Sequence, residues 1–166
     1  NGASAEIAGG GAEAENGMIA ISDAGTYSLS GTLNDGQILI NAPEDAAVNL
    51  ILNGVTLNSS TSAPIYAQSA SALTVTLAEG SENTLNDAAE YIYASEGDDE
   101  PEAALFSDVD LIIDGTGRLT VNANYQDGIS TDDSLTINDS PIIIVNTVDD
   151  ALRGNDAITI NGGVYT

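Results

Sequence analysis

From Met18 onward, apolar and polar residues alternate in short runs broken by Asn-Gly, Asp-Gly and Asn/Asp-Ser pairs. Alternation with a period of two marks strands that bury one face. No stretch carries a 3.6-residue period with helix caps, so the chain is expected to be all-β. One pattern recurs as Leu50-Ile-Leu-Asn53, Leu73-Thr-Val-Thr76, Leu111-Ile-Ile-Asp114, Leu135-Thr-Ile-Asn138 and Ile158-Thr-Ile-Asn161, with starts 23, 38, 24 and 23 residues apart. A second pattern follows it: Val55-Thr-Leu-Asn58, Leu119-Thr-Val-Asn122 and Ile143-Ile-Val-Asn146. A third precedes it: Pro64-Ile-Tyr66, Ala104-Leu-Phe106, Gly128-Ile-Ser130 and Ala151-Leu-Arg153. Three short strands in each unit of 23–24 residues predict a right-handed parallel β-helix (β-solenoid), whose neighbouring coils pair at about 4.8 Å. Asn122 and Asn146 then fall at equivalent corners and are expected to form an asparagine ladder.

Two stretches depart from the repeat. Residues 1–17 are small and Gly/Ala/Glu-rich, and read as a flexible lead. Residues 18–166 read as one domain. The 38-residue interval holds an insertion over about residues 80–102, including Glu96-Gly-Asp-Asp-Glu-Pro-Glu102. It reads either as a solvated acidic loop or as a loop that covers a groove or helps to bind a cation.

Composition narrows the chemistry. There are 26 acidic residues against two basic ones, with no His, Cys or Trp, and the formal charge is −24. Both cations are arginines, Arg118 and Arg153, so the chain contains no lysine. Without a basic patch, nucleic acid and anionic membrane surfaces are excluded as partners. Without His or Cys, the usual zinc, copper, haem and iron–sulfur sites are excluded, as are Ser-His-Asp and Cys-His catalysis. The apolar runs are too short to span a bilayer. A 42% apolar fraction, rich in Ile, Leu and Val, argues against an acidic disordered chain.

Repeat alignment puts Asp127 over Asp150, Asp132 over Asn155 and Asp133 over Asp156. Like carboxylates one strand spacing apart repel, so one must hold a proton or a cation must sit between them. Oxygen ligands from Asp, Asn and carbonyl groups favour a hard ion, and flexible loops favour Ca²⁺ over Mg²⁺. The expected ligands are Asp127, Asp132, Asp133, Asp149, Asp150, Asn155 and Asp156. Solvated turn aspartates are the alternative. Arg153, between Asp150 and Asp156, reads as a local ion pair and as a weaker candidate for ligand contact. Tyr66 and Tyr125, near corners, are candidate rings for sugar stacking.

The run Ala104-Leu-Phe-Ser, Asp127-Gly-Ile, Asp132-Asp-Ser-Leu and Val148-Asp-Asp-Ala-Leu-Arg-Gly-Asn-Asp156 resembles the calcium-containing β-helix carbohydrate-binding domains secreted by cellulose-degrading clostridia and other bacteria. Gly25-Thr-Tyr-Ser-Leu-Ser-Gly-Thr-Leu-Asn-Asp-Gly36 and Leu50-Ile-Leu-Asn-Gly-Val-Thr-Leu57 are also similar. The resemblance implies an extracellular bacterial protein with a pectate-lyase-like β-helix and bound calcium. It also implies binding of plant cell-wall polysaccharide, acidic kinds included, without catalysis. It assigns a calcium role to Asp127, Asp132, Asp133, Asp149, Asp150 and Asp156. Two other functions fit parts of the sequence. Head-to-tail self-association into an extracellular filament or matrix would cover open strand edges. A polysaccharide lyase would need a base beside its calcium, and arginine is a poor one.

Overall fold

The computed structural model describes residues 10–166. Residues 1–9 of the expected lead lie outside the described residues. Sixteen strands follow one another. The first six are β1 (Ala12–Glu15), β2 (Met18–Ile21), β3 (Gly25–Leu33), β4 (Gln37–Asn41), β5 (Ala47–Asn58) and β6 (Ile65–Ser69). The next five are β7 (Ala72–Leu77), β8 (Glu82–Asn86), β9 (Ala103–Ser107), β10 (Leu111–Gly115) and β11 (Arg118–Asn122). The last five are β12 (Asp127–Thr131), β13 (Ser134–Ile137), β14 (Ile142–Asn146), β15 (Leu152–Gly154) and β16 (Ala157–Ile160). No helix is present among the described residues.

The expected regular right-handed β-helix of 23–24-residue coils is corrected here. The strands form two sheets that curl into a half-barrel, not a uniform three-sided winding. The seven-stranded sheet runs β1-β2-β4-β6-β9-β12-β15. The nine-stranded sheet runs β14-β11-β8-β5-β7-β10-β13-β16, with β3 also on β5. The cause lies in β5. Leu50-Ile-Leu-Asn53 and Val55-Thr-Leu-Asn58, read above as two strands, form one 12-residue strand. Its first half pairs with β7 and its second half with β8, which joins two columns of strands into one sheet. Pairing is parallel except between β1 and β2. Thus Ala12–Glu15, inside the expected lead, is a paired strand.

Alternation places Leu50, Leu52, Leu73, Val75, Leu111, Ile113, Leu135 and Ile137 in one aliphatic core. The register Leu73–Leu111–Leu135–Ile158 follows the repeat alignment. On the earlier side it does not: Val48, not Leu50, faces Leu73. A slip of two residues keeps every side chain on its face, so the pattern cannot detect it. Asn146 is in register with Asn122, as expected, and side-chain bonds extend the column the other way, with Asn122 Nδ2 donating to Asn86 Oδ1 at 2.5 Å and Asn86 Nδ2 to Asn58 Oδ1 at 2.6 Å.

Every residue of β9 and β12 is buried, so both faces of that part of the sheet are covered. Leu105 faces the aliphatic core, while Phe106 packs with Tyr66 and Ala103 on the other side. The irregular segment 87–102 joins β8 to β9, later than the insertion start expected near residue 80. Its end crosses that outer side: Glu100 reaches Asp108 and Asp132, and Glu102 reaches Arg153. We refer to it as the strap.

Gly115 ends β10 at a φ of 95°. A Cβ there would overlap the Leu77 carbonyl oxygen of the neighbouring strand. Gly115→Ala should therefore cost at least about 1–3 kcal/mol, read as a lower urea midpoint.

Candidate cation and carbohydrate site

The expected metal ligands separate to the two ends of β12. Asp127 is its first residue and Asp132 follows its last. Five extended residues place them about 16 Å apart, too far for one ion.

At the first end, Asp127, Asp149 and Asp150 each bring a carboxylate oxygen within 4.8 Å of the others. Backbone bonds build this arrangement. The Gln126 carbonyl accepts from the N–H groups of Val148 and Asp149 at 3.0 and 3.2 Å, and from the Thr147 hydroxyl at 3.1 Å. This holds residues 147–150 against the start of β12. The Asp150 N–H then donates to Asp127 Oδ1 at 2.9 Å. Asp127 is only 2% exposed, and its Oδ2 has no hydrogen-bond partner. Burial pushes its carboxyl above the usual range, and the charges of Asp150 and Asp149 push the same way. The Asp150 N–H and Arg153 act in the opposite direction. A buried carboxylate oxygen without a donor is costly, and a hard divalent ion would satisfy it. Asp127, Asp149 and Asp150 therefore fit such an ion.

At the other end, Asp108 follows β9 as Asp132 follows β12 and Asn155 follows β15. The three form a column. Asn155 Nδ2 donates to Asp132 Oδ1 at 3.0 Å, which makes Asn155 a partner of a carboxylate. Glu100 from the strap joins Asp108 and Asp132, again with carboxylate oxygens within 4.8 Å. Glu100 and Asp108 were absent from the expected ligands. The 24-residue offset between Asp108 and Asp132 was available in the sequence, but the arrival of Glu100 was not. Asp133 and Asp156 stack through a backbone bond of 3.1 Å and belong to neither group.

Burial first, then the Glu100 charge, pushes the Asp108 carboxyl up to about 7. An unfolded aspartate titrates at about 3.9. Between these values the folded chain binds more protons than the unfolded chain, so stability falls as pH rises, and the loss is complete above about 7. Burial raises Glu100, Glu102 and Asp127 in the same direction. In excess EGTA the melting temperature is expected to fall between about pH 4 and about pH 7, and Asp108→Asn should flatten part of that fall.

The two candidate rings have different settings. Tyr66 is buried, its ring 5.6 Å from that of Phe106, and its hydroxyl donates to Asp108 Oδ2 at 3.2 Å. It is core structure, which corrects its reading as a sugar-stacking ring. Tyr125 is half-buried and stacks on Tyr91 of the strap at 4.2 Å. Its hydroxyl lies 3.3 Å from that of Tyr93. Tyr91 in turn donates to Asp87 Oδ2 at 2.8 Å. Tyr125 precedes Asp127 of the first carboxylate group by two residues.

Arg153 is not a local pair between Asp150 and Asp156. Its Nη1 pairs closely with Glu102 of the strap and lies 3.7 Å from Asp127 Oδ2. Its Nε donates to Asn155 Oδ1 at 3.1 Å. The other arginine, Arg118, pairs with Glu82 at 3.5 Å.

A carbohydrate-binding domain-containing protein of Acetivibrio thermocellus is 40% identical over 126 residues, which are 76% of this chain and 44% of the relative. A solved structure, the gadolinium derivative of the polysaccharide lyase-like protein from C. thermocellum, superposes with a TM-score of 0.93 at 37% identity. It covers 96% of this chain and 64% of its own. The chain thus spans from under half to about two thirds of the length of these relatives. The family described as carbohydrate-binding domain-containing protein matches residues 15–166. The chain belongs to that carbohydrate-binding domain family.

Proposed function

We propose that the chain is a non-catalytic carbohydrate-binding domain that works outside a bacterial cell, uses Ca²⁺ and takes acidic plant-type polysaccharide as its ligand. The observation that carries this reading is the donor-free, buried Oδ2 of Asp127 inside a three-carboxylate group, two residues from the Tyr125 ring. A chain of charge −24 repels a polyuronate, and a shared divalent ion reverses that repulsion locally. Asp127, Asp149 and Asp150 would hold the ion. The ion would supply a Lewis-acidic bridge to a sugar carboxylate, and the rim of Tyr125 would meet the apolar face of a sugar ring. Both arginines are engaged with carboxylates, which supports binding over β-elimination.

The test is co-sedimentation or calorimetry with polygalacturonate and with cellulose, in Ca²⁺ and in excess EGTA. Binding to polygalacturonate that is lost in EGTA is expected. Tyr125→Ala should weaken it about tenfold, the size of one lost stacking contact. Equal binding in EGTA, or no binding to either polymer, contradicts the reading. Release of unsaturated, ultraviolet-absorbing products would show a lyase instead.

A further inference from the structure

We infer that Arg153 is a built-in counter-cation for the Asp127 group, held there by the strap, and that it sets how tightly that group binds a divalent ion. The inference rests on the proposal that Asp127, Asp149 and Asp150 bind such an ion, and goes beyond it to the residue that regulates the site. Three observations carry it. Arg153 Nη1 stands 3.7 Å from Asp127 Oδ2, too far for a hydrogen bond but close enough for strong attraction. Asp127 Oδ2 is buried and lacks any donor, as does Asp108 Oδ1 in the other carboxylate group. The same Nη1 is drawn closely to Glu102, the last residue of the strap.

Arg153 is thus shared between two carboxylates and fully satisfies only one. Its guanidinium charge lowers the cost of burying Asp127 while the ion is absent. When an ion arrives, that same charge repels it. Glu102 keeps the guanidinium back from Asp127 and so leaves its Oδ2 open. Arg153 faces Glu102 and Asp127, and Asp127 is grouped with Asp149 and Asp150, so four carboxylates outweigh one guanidinium and net attraction for a divalent ion remains. Arg153 is a positioning and tuning residue, not an ion ligand.

The experiment is a calorimetric Ca²⁺ titration of the full EGTA-stripped chain and its variants, at low and at moderate salt. Arg153→Gln is expected to bind Ca²⁺ about tenfold more tightly than the parent chain at low salt, with the gain shrinking as salt screens it. Arg153→Lys keeps the charge and should stay within about threefold of the parent. Glu102→Gln frees Arg153 to close on Asp127 and should bind more weakly. Asp127→Asn added to Arg153→Gln should erase the gain, which assigns the effect to this group and not to Glu100, Asp108 and Asp132. Binding by Arg153→Gln alone, with none by the parent, supports the inference in its strongest form. Equal or weaker binding by Arg153→Gln, beside a parent chain that binds, overturns the inference and leaves the cation site standing. No binding by either chain overturns both.

Discussion

Asp127→Ala is expected to be destabilising with Ca²⁺ and close to neutral without it. With the proposed site filled by saturating Ca²⁺, the parent chain would gain the binding free energy of the ion. At a Ca²⁺ concentration about a hundred to a thousand times the Kd, that gain is about 3–4 kcal/mol. The alanine variant forfeits it. In EGTA two smaller effects oppose each other. The Asp150 N–H loses its acceptor at Oδ1, which costs about 1 kcal/mol. A buried carboxylate repelled by Asp149 and Asp150 is removed at the same time, which is stabilising. Asp127→Asn keeps an acceptor for Asp150 and should behave similarly, with less loss in EGTA. Urea unfolding with and without Ca²⁺ separates the outcomes. An equal loss in both conditions would make Asp127 a purely structural residue.

Phe106→Ala is the other large effect. Phe106 is fully buried and is the chain's one phenylalanine. It packs with Tyr66 and Ala103, with Leu39 against them, apart from the aliphatic core that holds Leu105. Truncation leaves a cavity and should cost about 3–5 kcal/mol. The local consequence is more specific. Tyr66 loses its ring partner, and its hydroxyl holds Asp108, the residue that Glu100 of the strap meets. The exposed residues around Glu96–Asp99 should then be cut by protease faster than global unfolding allows. Leu105→Ala should cost about 2–5 kcal/mol without that selective cutting, because it damages the opposite face. Equal cutting rates in the two variants would show that Phe106 does not anchor the strap.

Several parts of this structure were legible in the sequence because they repeat. The column Tyr66–Phe106–Ser130–Arg153 follows from the third recurring pattern, and the register bears it out. Asp150 lies over Asp127 and Asn155 over Asp132, as the 23-residue offset implies. What escaped has physical reasons. The continuity of β5 was hidden because Asn53-Gly54 reads as a turn, yet Gly54 accommodates a φ of 77° within the strand. The offset between Val48 and Leu50 was hidden because alternation has a period of two. The Glu102–Arg153 pair spans 51 residues and leaves no trace in local spacing. Tyr66 lies near a corner in sequence, and only the path of the strap shows that its ring is covered. The same strap explains why the acidic insertion was ambiguous: Glu96, Asp98 and Asp99 are exposed, while Glu100 and Glu102 reach the two carboxylate groups.

The most direct test of the account is a Ca²⁺ titration of the EGTA-stripped chain by calorimetry, with melting temperature followed on the same samples. Stacked carboxylates served by one arginine, Arg153, predict saturable binding and a melting temperature that climbs with Ca²⁺ and falls back in EGTA. Absence of binding heat together with an unchanged melting temperature would contradict the claim that this fold holds its buried carboxylates with a divalent cation.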